Sequence, residues 1–240
     1  MHAVTVPGSH SIFNAMAASV QQALSSNAQI AILRVLSRPR FQTYMTAAGH
    51  DVDLAWRLYL WNARVGEAFH LPIQTAEVGL RNSIDVVLIQ LFGPDWGANR
   101  QFELLLDQRA QADLGVVKQR LKNKGRQANN GQIVASLSFG FWVALLHRKY
   151  NPRIWSQHLQ TGFPNKPSTV DRHQLFVRAG EINKLRNRIS HHEPIIGSDI
   201  SKRYSEITEF LDWICPITLG LLKPHFTVSS VMRQKPKKLK

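Results

Sequence analysis

The chain has 240 residues, enough for one large domain with a real core or for two small ones. Its hydrophobic fraction of 44% argues against wholesale disorder, and its 30 Lys and Arg against 16 Asp and Glu give a net charge of +14. That excess favours a polyanionic partner, nucleic acid first and an acidic membrane second, although it says nothing about fold. The single cysteine, Cys215, rules out a disulfide within the chain, and no Cys/His group has zinc-finger spacing. This composition suits a reducing, cytoplasmic setting.

The first 27 residues read as a partly helical lead segment without the charged and apolar regions of a signal peptide. From there the apolar residues recur with the period of a helix. Leu54, Leu58, Trp61, Val65 and Phe69 form one stripe, with Asp51 placed to cap it. Leu80, Ile84, Val87, Leu88 and Leu91 form a second, and Leu114, Val117 and Leu121 a third. The run "IVASLSFGFWVALL" (133–146) reads as one helix buried on most sides, too short for the ~20 residues of a membrane span. Leu175, Ala179, Ile182 and Ile189 follow, on a helix capped by Ser168 or Thr169, and then Ile207, Phe210, Leu211 and Ile214.

Breakers fall between these runs, at Gly49-His50-Asp51, Leu71-Pro72, Gly93-Pro94, Asn129-Asn130-Gly131, Phe163-Pro164 and Glu193-Pro194. Strand alternation is absent. The expectation is an all-α protein of about seven or eight helices, with one helical domain over 28–224 and a basic, disordered tail over 225–240. The tail either touches RNA or keeps the chain soluble.

The stretch "LRNRISHHEPI" (185–195) concentrates polar chemistry at a helix end. Counting from Leu175, Arg186 falls at about 20° on the helical wheel, inside the apolar stripe. A guanidinium there must be paired, lie at an interface or face a groove. Asn187 and His191, four residues apart, share another edge. Pro194 ends the helix, so His191 and His192 sit on its last turn.

Imidazole exchanges protons near neutral pH, and guanidinium matches phosphate with a fork of donors. Together they suffice to cleave RNA without a metal or other cofactor: a base takes the ribose 2′-OH proton, the oxygen attacks phosphorus, and Arg steadies the charge. Two other readings stay open. The histidines also suit the negative end of the helix dipole, and a metal site is conceivable, though no HExxH pattern is present.

A second cluster, Glu77, Arg81 and Asp85, is spaced i, i+4, i+8, with Asn82 beside Arg81. It reads either as a salt-bridge ladder or as support in which Glu77 or Asp85 orients Arg186 or His191, and Arg81 also suits a phosphate. The segment "VKQRLKNKGRQANNGQ" (117–132) carries Lys118, Arg120, Lys122, Lys124 and Arg126 with no acid. It is either a strip for the RNA backbone, to which Arg188 would add, or a solvated helix end. Trp56, Tyr59, Trp61, Phe139, Phe141 and Trp142 read as core rather than as a platform for bases.

Arg186-Asn187-Arg188-Ile189-Ser190-His191 matches the R-x4-H motif of HEPN domains, and "LRNRISHHEPI" resembles the C-terminal signature of bacterial Abi-like (abortive infection) proteins. "RFQTYMTAAGHDVDLAWRLYLWN" (40–62), "LPIQTAEVGLRNSIDVVL" (71–88) and the run from 133 resemble the same family in the same order, over about residues 30–220. The resemblance implies a HEPN-like helical bundle and a metal-independent endoribonuclease of anti-phage defence. It also implies a homodimer with the site at its interface, restrained by a protein or RNA antitoxin. By that match Arg186 and His191 are catalytic, Asn187 supports them, and His192 is the alternative histidine. The competing expectation is a non-catalytic RNA-binding module. A DNA-binding regulator finds no helix-turn-helix signature.

Overall fold

The computed structural model describes residues 26–123 and 129–238. They divide between two compact units, residues 26–61 with 235–238 and the described residues of 62–234. Among the described residues there are thirteen α-helices and no strand, and no helix is long and apolar enough to cross a membrane.

In the first unit, α1 (Ser26–Leu36) and α2 (Arg38–Ala47) precede α3 (Val52–Ala68), whose second half belongs to the other unit. Asp51 caps α3, its carboxylate accepting from the Leu54 amide at 2.9 Å. Phe41 packs on Trp56 with centroids 4.1 Å apart, and Tyr44 meets Tyr59 edge-on at 5.3 Å. Burial pushes the Tyr44 hydroxyl up to about 12. Of the aromatics expected in the core, Trp56 and Trp61 are buried, whereas Tyr59 is only partly so. Lys235 sits over the Trp61 ring at 5.4 Å, and Arg57 donates to the Lys237 carbonyl at 3.2 Å.

The second unit is built around α4 (His70–Phe92). The break falls at Phe69 rather than at Leu71-Pro72, because Pro72 fits the first turn, where a missing amide hydrogen costs nothing. α5 (Arg100–Leu105) and α6 (Gln108–Asn123) follow, the latter burying Ala110, Leu114, Val117 and Leu121. The apolar run from 133 is two helices, α7 (Asn130–Ser136) and α8 (Phe139–Leu145). Ser138 divides them, its hydroxyl accepting from the Phe141 amide while Leu137 is extended. The expected burial of Phe139, Phe141 and Trp142 holds.

After a short 3₁₀ turn and a π turn comes α9 (Leu159–Gly162). Gly162 lies so close to α4 that a Cβ would meet Val87 Cγ2 at 3.2 Å and the Ser83 carbonyl at 3.3 Å. α10 (Arg172–Ser190), α11 (Ile200–Ile214), α12 (Pro216–Leu222) and α13 (Val228–Arg233) complete the unit. On the last, Val228 and Val231 are buried. The higher helix count comes largely from short elements such as α5, α12 and α13, which bury only one or two apolar residues each and leave little periodic signal.

Candidate functional site

α10 carries the site, and its ends are well defined. It starts one turn later than Ser168 or Thr169 would place it. Asp171 and Gln174 cap each other's backbone amides, both at 2.8 Å, in a reciprocal capping box. Leu175, Ala179, Ile182 and Leu185 are buried, while Ile189 is only partly so. Arg178 pairs with Glu209 and also donates to the Glu206 carbonyl, and Arg203 pairs with Glu181 at 2.8 Å, locking α10 to α11. A hydrogen bond from Lys184, aided by Arg203, holds the Glu181 carboxyl below its ordinary range.

The C-terminus closes in a Schellman motif. The His192 amide donates to the Ile189 carbonyl at 3.0 Å and the Glu193 amide to the Arg188 carbonyl at 2.8 Å. His192 therefore occupies the left-handed position, at φ 55°, that glycine usually fills. His192→Gly is expected to stabilise the fold by about 1 kcal/mol in thermal or urea melts.

The loop beyond is tied down. Arg188 donates to the Pro194 carbonyl, reaches Ser198 Oγ at 3.0 Å and lies 3.5 Å from Glu193. Arg188 thus braces its own loop while part of its side chain stays open to solvent. Asn62 on α3 accepts from the Ile195 amide at 2.8 Å, a role that sequence spacing does not signal.

Arg186 is half-buried and bridges two helices. Its Nε lies 3.6 Å from Glu77 Oε2 on α4, and its Nη1 donates to Asn187 Oδ1 at 3.3 Å. Of the two carboxylates expected to orient the site, Glu77 reaches it. Asp85 does not. It accepts from Trp96 Nε1 at 2.6 Å and Asn130 Nδ2 at 3.1 Å, a network that pins the start of α7. No ladder forms along 77–85: neither carboxylate pairs with Arg81, whose Nε is buried without a partner. Asn82 faces a largely apolar groove of about 620 Å³ between α4 and the α11–α12 corner, away from Arg186.

His191 and His192 are exposed, and among the described residues neither side chain has a hydrogen bond or ion pair. On a regular helix, Arg186 and a residue five positions later are about 140° apart around the axis and about 7.5 Å along it. One copy of the chain thus presents Arg186 and His191 in different directions. No group of three His, Cys, Asp or Glu side chains that could hold a metal occurs among the described residues.

Of the basic strip, Lys118 lies 3.7 Å from Glu103, an acid from outside the stretch, and Arg120 reaches the Ser136 carbonyl at 3.4 Å. Lys122 is exposed. Lys124 and Arg126 lie outside the described residues.

No protein-family model, curated protein or solved structure matches the chain.

Proposed function

We propose that this chain is a metal-independent endoribonuclease of the HEPN type, acting as a homodimer in anti-phage defence or as a toxin. The observation that carries the reading is the Glu77–Arg186 bridge. It joins two of the segments quoted for the Abi-like resemblance and holds a half-exposed guanidinium five residues before an unengaged imidazole. The net charge of +14 suits an RNA substrate.

In this mechanism His191 takes the proton of a ribose 2′-OH, and that oxygen attacks the adjacent phosphorus. The 5′-oxygen leaves with a proton supplied by His191 of a second copy, giving a 2′,3′-cyclic phosphate and a 5′-hydroxyl. Arg186 faces the phosphate charge as it develops, with Asn187 fixing its Nη1 and Glu77 its Nε. The angular separation of Arg186 from His191 on one helix favours a cleft completed by two copies. An antitoxin, whether protein or RNA, would restrain the activity.

Glu77→Gln leaves Arg186 charged but loosely held, and is expected to lower kcat on a labelled single-stranded RNA about tenfold. A second reading has its own support: no side-chain hydrogen bond or ion pair orients His191 among the described residues. In a non-catalytic RNA-binding module, Arg186 alone would matter. His191→Ala would then spare RNA binding and cellular function, while Arg186→Glu would abolish both.

A further inference from the structure

Arg81 stands out on α4. Glu77 lies one turn before it and Asp85 one turn after, both at the spacing that normally gives an arginine a carboxylate partner. Both carboxylates are engaged elsewhere, Glu77 with Arg186 and Asp85 with Trp96 and Asn130. Among the described residues no hydrogen bond or ion pair reaches Arg81, and its Nε is closed to solvent without an acceptor. Folding alone does not favour this: a buried unpaired donor is destabilising, and more so on a charged group. Arg81 as a residue is partly exposed although its Nε is not, so an arriving anion meets the remaining donors of a guanidinium that no carboxylate neutralises, and a guanidinium matches phosphate oxygens best.

Position suggests which phosphate. Arg81 is four residues, about 6 Å along the axis, from Glu77 of the Glu77–Arg186 bridge. That is the scale on which consecutive phosphates of an extended strand follow one another. We infer that Arg81 grips a phosphate next to the scissile one. The substrate is then a single strand with internucleotide phosphates on both sides of the cut or on one of them, not an isolated dinucleotide. This rests on the ribonuclease reading for the identity of the scissile phosphate. It needs no contact between Arg81 and the reacting atoms, so Arg81 is a binding residue rather than a catalytic one.

The test uses the full-length protein and three readouts. The first is cleavage of a dinucleotide holding only the scissile phosphate, against a tetranucleotide that adds one phosphate on each side, each with ribose only at the cleavage position. The native protein should prefer the tetranucleotide through KM, and Arg81→Gln should remove that preference, raising KM for the longer substrate about tenfold. The second is affinity for the all-deoxy tetranucleotide, which cannot be cleaved, followed by fluorescence anisotropy. Arg81→Gln should weaken it about tenfold, and Arg81→Lys, which keeps charge but not the fork, by less.

The third is the melting temperature of Arg81→Met, which should be no lower than the native value, because the substitution removes an unpaired buried donor. Unaltered tetranucleotide affinity in Arg81→Gln overturns the inference, as does a clear fall in melting temperature for Arg81→Met, which would give Arg81 a structural role. If the native protein cleaves neither substrate while Arg81→Gln still loses affinity, the ribonuclease reading falls and the phosphate site stands.

Discussion

His191→Ala and Arg186→Ala are each expected to lower RNA cleavage by about 10²–10⁴, the range for losing a general base or a charge-stabilising group. Neither should unfold the protein. His191 is exposed and makes no side-chain bond, and the Arg186–Glu77 contact of 3.6 Å is half open to water. Such pairs contribute about 0–1 kcal/mol. Circular dichroism and melting curves should therefore overlay the native ones while the rate collapses. In cells the pair also discriminates between the two readings: parallel loss of function requires chemistry, whereas loss in Arg186→Ala alone requires only a phosphate grip.

The largest effect on stability is expected at Asp85. One of its oxygens accepts from both Trp96 Nε1 and Asn130 Nδ2, and Trp96 is fully buried. Asp85→Ala strands both donors, each at about 1–3 kcal/mol, so the loss should be about 3 kcal/mol. In a chain of this size that lowers the melting temperature by about 6–12 °C. Asp85→Asn keeps an acceptor oxygen and should lose about 1 kcal/mol. Urea titrations of the three proteins check this. Glu77→Gln should show the reverse profile, altering rate more than stability, because its partner is the half-exposed Arg186. Two carboxylates eight residues apart on one helix thus have separable roles.

The helical class was legible because Leu80, Ile84, Val87 and Leu88, like Leu114, Val117 and Leu121, repeat with a period only a helix has. Boundaries were less so. Ser138 carries the same local signal whether it rides inside a helix or caps one, and only the extended Leu137 before it decides. Asp171 outcompeted Ser168 and Thr169 because Gln174 returns the hydrogen bond, a pairing visible in the spacing but easily passed over. Within the site, helix spacing placed Arg186, Glu77 and Asp85 on their faces. It did not say which neighbouring helix each face would meet. Glu77 therefore met α10, and Asp85 met α7 and Trp96, although the two share one pattern. Asn62 had no signal, because its partner is a backbone amide 133 residues away.

The most direct test of the account is to incubate the purified protein with labelled single-stranded RNA in EDTA, beside Arg186→Ala and His191→Ala, and to identify the product ends. The account predicts cleavage by the native protein alone, leaving 2′,3′-cyclic phosphate and 5′-hydroxyl ends. Intact RNA, or cleavage that persists undiminished in His191→Ala, would contradict it.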